Sequence, residues 1–218
     1  DYLVVATGLQ LGYDQIEGMD VKAIGQNGLG SVYAGPEAAL ATWQAMDAFR
    51  AKGGQAVMTL PTGALKCAGA PLKMTFMVAV RLREAGTLAQ SKIDFFSGLP
   101  ADPVFGVQPV NDNVLARWKD LGIQTHYLSK LVAVDLAGRQ AVFASPEGER
   151  SSVDYDFLHV VPPMRAPQRL STYPSIPDSP SWPVPGDSMS TVTPWGVLTR
   201  VHNTGAAFGS FSNMSAWL

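Results

Sequence analysis

Between Gln55 and Leu136 the chain alternates short apolar runs with longer stretches of helical spacing, and this alternation constrains the fold more than any other feature. Gln55 to Leu60 reads as a buried strand, and Ile93-Asp94-Phe95-Phe96 reads as another. Between them Pro71 stands where a helix should begin, with Met74, Met77, Val78 and Leu82 as its apolar face. Val110 to Leu121 is a further helix, stopped at Gly122. Strands that return parallel to one another need crossovers of this length, and a helix is the usual crossover. The expected fold class is therefore α/β, a parallel sheet with crossover helices.

The flanks extend the pattern. Tyr2 to Gly8 is an apolar run closed by a turn, and a glycine-rich connection runs from Gly25 to Gly35. Pro36 then opens a helix with Glu37 in its first turn, where a negative charge meets the positive end of the helix dipole. Leu40, Trp43, Met46 and Phe49 recur on it, and Gly53-Gly54 ends it. Thr125 to Leu136 and Gln140 to Ser145 read as paired strands followed by a polar turn. Phe157 to Val161 is a last strand, ended by Pro162-Pro163. From Arg165 to Pro194 the chain is rich in Pro, Ser and Thr and is expected to be irregular. It opens on Asp1 rather than Met, inside a strand, and so reads as an internal piece of a longer protein.

Composition removes several classes of function. A net charge of −2 over 218 residues makes no electrostatic case for nucleic acid. No apolar run reaches the roughly 18–20 residues that cross a bilayer, and no signal-peptide pattern opens the chain. His126, His159 and His202 lack metal-ligand spacing, and Asp14, Glu17 and Asp20 read as a solvated face, so no metal site is expected.

A single cysteine, Cys67, excludes an intrachain disulfide framework. It reads two ways from its surroundings. A thiol reacts as its thiolate, and Lys66, Lys73, the small Ala68-Gly69-Ala70 loop and the start of a helix near Pro71 all favour that form. Burial against Leu65 and Leu72 would instead make it an inert core residue. The Val5-Ala6-Thr7-Gly8 strand end suggests a turn where backbone meets a cofactor, but no G-x-G-x-x-G fingerprint follows a strand here.

Four segments carry a family resemblance. Asp1 to Gly8 resembles the D-Y-L-x-x-A-T-G strand of flavoproteins with two dinucleotide-binding domains. Lys66-Cys67-Ala68-Gly69-Ala70-Pro71-Leu72-Lys73 resembles the K-C-A-G-A-P-x-K segment of sulfide:quinone oxidoreductases, and His159 to Met164 resembles their H-V-x-P-P-M segment. Val104-Phe105-Gly106-Val107 fits the same family.

That resemblance implies a flavin-dependent oxidation of hydrogen sulfide to sulfane sulfur or polysulfide, with electrons passing to FAD and then to quinone. It implies a redox-active Cys67 that carries sulfane sulfur in a bridge to a second cysteine. It makes Thr7 and Gly8 flavin-site candidates, adds Pro162 and Pro163 where the chain returns to the flavin domain, and places Glu37 near an acid–base position. Gly209-Ser210-Phe211-Ser212-Asn213 stands where the family has G-D-x-S-N, without Asp or Cys, which makes Gly209 and Ser210 the remaining flavin-contact candidates. Some members carry a further cysteine in the segment matching Ser31-Val32-Tyr33; this chain does not. The implied partners are hydrogen sulfide, quinone, a small thiol or other sulfur acceptor and, for the intact parent, a membrane surface to which it binds peripherally. The implied organisation is a Rossmann-like second dinucleotide domain at 34–152, remnants of a flavin domain at 1–33 and 153–167, and an irregular tail at 168–218. The alternatives are the flavin subunit of a cytochrome-coupled sulfide dehydrogenase and a truncated, non-catalytic domain.

Overall fold

The structure, a computed structural model, describes residues 8–63, 65–100, 104–105, 107–165, 190–193 and 196–199. The chain divides into two compact units, one of residues 11–164 and one of residues 1–10 with 165–218. In chain order the elements are β1 (Gln10–Leu11), β2 (Leu29–Gly30), α1 (Pro36–Lys52), β3 (Gln55–Leu60), α2 (Gly69–Glu84), β4 (Lys92–Ser97), α3 (Gln108–Asp120), β5 (Gln124–His126), β6 (Lys130–Asp135), β7 (Gln140–Ala144), β8 (Arg150–Asp154), β9 (Phe157–His159), β10 (Met164–Arg165), β11 (Ser190–Thr193) and β12 (Gly196–Thr199), with three short 3-10 turns between them.

The unit of residues 11–164 is α/β, as expected. Its main sheet has five strands in the order β2-β9-β3-β4-β5, and every pairing in it is parallel. Helices α1, α2 and α3 make the crossovers. β3 is buried along nearly its whole length because both faces are covered, which explains why its sequence is apolar without alternation.

One face of the sheet packs on the helices. Phe49 of α1 stacks on Phe157 of β9, with ring centroids 5.7 Å apart. Trp118 of α3 lies 4.6 Å from Phe95 of β4 and 6.0 Å from Phe76 of α2. The other face, with Leu29, Val57, Phe96, Leu158 and Val160, joins one apolar cluster with Leu131, Val134, Ala141 and Phe143 of the antiparallel sheet β6-β7-β8. Phe96 and Phe143 stack at 3.9 Å across that interface.

Several sequence expectations shift. α2 begins at Gly69, two residues ahead of Pro71. Leu40 is 60% exposed and Met77 37%, so neither belongs to the apolar face of its helix; Trp43 is held instead beneath the Arg81 guanidinium, 4.9 Å from its ring centre. The stretch read as one strand from Thr125 breaks at Leu128, whose φ is +54°, so that β5 closes the parallel sheet and β6 opens the antiparallel one. The polar turn after Ser145 contains β8, whose sequence Arg-Ser-Ser-Val-Asp has a single apolar residue. β9 does not add to an edge. It slots between β2 and β3, so the five-stranded sheet takes strands from both sides of the expected 34–152 span. In the other unit, β11 and β12 form an antiparallel pair within the stretch expected to be irregular, with Thr191 opposite Leu198 and Val192 opposite Val197.

Candidate functional site

Three loops leave the carboxyl ends of the adjacent parallel strands β2, β9 and β3. In open α/β sheets this is the edge where ligands bind. The loop after β2 carries Ser31 and Tyr33, the loop after β9 carries Pro162 and Pro163 and leads into Met164 of β10, and the loop after β3 carries Lys66 and Cys67.

Cys67 is exposed. This removes the reading of the thiol as a core filler. The residue sits just before Ala68, the N-cap of α2. The Ala70 N–H donates to the Cys67 carbonyl at 3.2 Å, and Pro71 has no N–H to offer. Ala68 and Gly69 are then the amides that could face an anionic sulfur. Lys66 and Lys73 are both exposed. The Lys66 N–H donates to Met164 Sδ at 3.1 Å, which ties the cysteine loop to the chain leaving β9.

The β2 loop is built from the inside. Gly30 packs so closely on α1 that a Cβ there would meet Thr42 Cγ2 at 2.8 Å. Thr42 Oγ1 donates to the Ala38 carbonyl at 2.7 Å and accepts the Ser31 N–H at 2.8 Å. The buried Ser31 hydroxyl is hydrogen-bonded to Tyr13 Oη. Burial pushes the Tyr13 phenol above its ordinary value, against the pull of that bond. Tyr33 Oη is buried and has no hydrogen-bond partner. Burial raises the Tyr33 phenol most, and negative charge at Cys67 and then at Tyr13 raises it further.

His159, the last residue of β9, lies between Gly30 and Met58 in register. It is completely buried, and neither ring nitrogen finds a partner. Burial therefore pushes its pKa down to about 4 and keeps the ring neutral at pH 7.

The other residues singled out from sequence differ in exposure, and three of them lie outside the described residues. Glu37 is exposed in the first turn of α1, at the same sheet edge. Pro162 and Pro163 are buried, and the Pro163 carbonyl is taken by the Gly12 N–H at 2.7 Å. Gly8 is exposed, with φ of +71° and open space where a Cβ would stand. Thr7, Gly209 and Ser210 lie outside the described residues. Among the described residues no group of His, Cys, Asp and Glu could hold a metal, and no helix is long and apolar enough to cross a membrane.

Sequence reasoning missed a second polar cluster on the opposite face. The Asp94 carboxylate is 1% exposed. It accepts from Lys92 Nζ at 2.8 Å, His126 Nε2 at 2.8 Å and Gln55 Nε2 at 2.7 Å. Burial alone would raise its pKa, but these bonds and the Lys92 charge outweigh it and hold the group below the ordinary carboxylate value. No spacing in the sequence announces this cluster, because its members come from three strands.

The chain is 34% identical over 165 residues to the mitochondrial sulfide:quinone oxidoreductase of Dictyostelium discoideum, covering 75% of this chain and 35% of that protein. It is 32% identical over 183 residues to the mitochondrial sulfide:quinone oxidoreductase of Mus musculus, covering 83% of this chain and 39% of that one. The chain is a relative of the sulfide:quinone oxidoreductases. It spans between a third and two-fifths of the length of these relatives. Its fold matches the crystal structure of the sulfide:quinone oxidoreductase from Aquifex aeolicus with a TM-score of 0.62 at 20% identity, over 78% of this chain and 38% of that one. No family model matches the chain. In the K-C-A-G-A-P segment of this chain, Lys66, Cys67 and Ala68 are exposed after a strand of the parallel sheet, and Gly69, Ala70 and Pro71 form the first turn of α2.

Proposed function

We propose that this chain supplies the sulfur-handling part of a flavin-dependent sulfide:quinone oxidoreductase. The exposed Cys67 thiol, at the amino end of α2 and the carboxyl edge of the sheet, carries this reading. An exposed thiol at a helix start can be met by a small anion such as hydrosulfide. Lys66 and Lys73 add positive charge that attracts the substrate. Cys67 is the nucleophile. Its sulfur accepts a sulfane sulfur atom and shares it with a second thiol, which must come from elsewhere because the chain holds one cysteine. Glu37, at the same edge, is the proposed acid–base group.

A bound FAD would supply the acceptor for the electron pair released as sulfide becomes sulfane sulfur, with quinone as the final acceptor. Its proposed contacts are Thr7, Gly8, Pro162, Pro163, Gly209 and Ser210. The exposed, left-handed Gly8 fits a close backbone approach to a flat cofactor. Pro162 and Pro163, buried as they are, fit a supporting wall better than a polar contact. In this reading the intact protein sits peripherally on a membrane, where its quinone is dissolved, and a small thiol or other sulfur acceptor removes the product.

Turnover of the flavin-loaded protein in its natural full length tests the reading. Sulfide should reduce a soluble quinone analogue much faster than it reduces cytochrome c. A preference for cytochrome would transfer the chain to the cytochrome-coupled alternative, and no turnover with either would refute both.

A further inference from the structure

The backbone pairing of β3 with β9 ends at Met58 and His159, and one side chain takes over beyond it. Thr59 is 3% exposed, and its Oγ1 donates to the His159 carbonyl at 3.0 Å and accepts the Val161 N–H at 2.9 Å. On the other side of β9 the backbone bonding runs on, with the Val160 N–H on the Gly30 carbonyl at 2.8 Å. The next two residues, Pro162 and Pro163, have no N–H and a fixed φ, which restricts the chain between Val161 and Met164. The Gly12 N–H holds the Pro163 carbonyl at 2.7 Å. Met164 Sδ then accepts the Lys66 N–H at 3.1 Å. These bonds close a ring. It runs from Thr59 along the loop after β3 to Lys66, crosses to Met164, and returns through the two prolines to Val161 and Thr59 Oγ1. Cys67 is the residue after Lys66.

We propose that Thr59 is a positioning residue for Cys67: its hydroxyl clasps the two chains where β3 and β9 part, the Lys66–Met164 bond closes the far end, and Cys67 is presented at a fixed place beside the chain that leaves β9. This rests on the reading of Cys67 as the sulfur carrier. Valine has the same shape as threonine and suits a buried strand position. The hydroxyl adds one thing, a partner for a carbonyl and an N–H that the backbone ladder no longer pairs.

The exposure of Cys67 is the reason such a device is needed. A buried nucleophile is placed by the side chains packed around it, whereas an exposed one is placed through its backbone. Downstream, the Ala70 N–H holds the Cys67 carbonyl at 3.2 Å and the chain passes into α2. Upstream, the hold is the ring that Thr59 closes. Reaction rates fall steeply when a nucleophile is displaced by about 1 Å, so slack in this ring reaches the chemistry without any contact between Thr59 and the substrate.

The test uses the flavin-loaded, natural full-length protein and its Thr59→Val, Thr59→Ser and Met164→Leu variants. Stopped-flow absorbance follows two half-reactions separately, reduction of the bound flavin by sulfide and reoxidation of dithionite-reduced flavin by a soluble quinone. Thr59→Val should lower the limiting rate of the first about tenfold and leave the second within about twofold. Amide exchange at Lys66 should quicken about fivefold or more. Thr59→Ser keeps the hydroxyl and should restore both values. Met164→Leu opens the ring at its other end and should repeat the Thr59→Val pattern, which decides the matter should Thr59→Val fail to fold. A rate of flavin reduction within about twofold of the parent in Thr59→Val, or in Met164→Leu, overturns the positioning role. So do equal slowing of both half-reactions, which marks a general disturbance, and a Thr59→Ser variant as slow as Thr59→Val. If Cys67→Ser keeps its rate of flavin reduction by sulfide, the carrier reading itself fails and the role of Thr59 falls with it.

Discussion

The Lys66 N–H donates to Met164 Sδ at 3.1 Å, so the residue next to the cysteine is held by the chain that leaves the interior strand β9. A thioether is a weak acceptor, and the bond fixes the loop more than it stabilises the fold. Met164→Leu keeps the volume and removes the acceptor. The variant should lose less than about 1.5 kcal/mol of stability. Amide exchange at Lys66 should quicken about fivefold or more while the amides of β3 keep their protection. Hydrogen exchange resolved by residue reads both.

The buried groups predict a stability curve with two acid windows. The folded His159 value of about 4 lies below the unfolded value near 6.5. Between those limits the unfolded chain binds more protons, so stability falls as pH falls from about 6.5 to about 4, by roughly 3 kcal/mol in all. The folded Asp94 pKa is also lowered. Its contribution is present above the unfolded carboxylate value and disappears as pH drops through the lower folded one, which places it below about pH 4. Urea midpoints measured from pH 7 to pH 3.5 should show the first window in the parent. His159→Phe should flatten it, and an unchanged slope in that variant would reassign the titration to another group.

Asp94→Asn isolates the second cluster. The carboxylate accepts from three side chains while almost wholly buried, and two of the donors, Lys92 and His126, have side chains 53% and 38% exposed. The substitution should cost about 1–3 kcal/mol in urea unfolding. A loss of a few tenths would mean that the ion pairs merely offset the desolvation of the carboxylate.

The placement of β9 makes its own prediction. Leu158 is 0% exposed and lies between β2 and β3. Leu158→Ala should cost about 2–5 kcal/mol. An edge-strand cost of under about 1 kcal/mol would contradict the strand order found here.

The strands with continuous apolar runs were legible in the sequence, since β3 and β4 are buried on both faces and leave no alternation to misread. The turn at Leu128 was not, because an apolar residue with positive φ looks like one more strand position. β8 was hidden by its polar composition: it pairs along one edge of the antiparallel sheet and buries almost nothing. At the site, Cys67 and its loop were legible from one contiguous segment. Tyr33 and Met164 were not, because only the strand order brings the loops after β2, β9 and β3 to one edge. Leu40 was misread for a related reason: helical spacing gives a face, but the neighbouring elements decide whether anything covers it.

Cys67→Ser in the flavin-loaded, natural full-length protein tests the central claim most directly. Oxygen keeps nearly the shape of the exposed side chain and removes the nucleophile and sulfur carrier. Sulfide-dependent quinone reduction should fall at least about a hundredfold, as for other lost nucleophiles, while the flavin absorbance per protein is unchanged. Turnover within a few-fold of the parent, with flavin bound, would contradict a role for Cys67 in the sulfur chemistry.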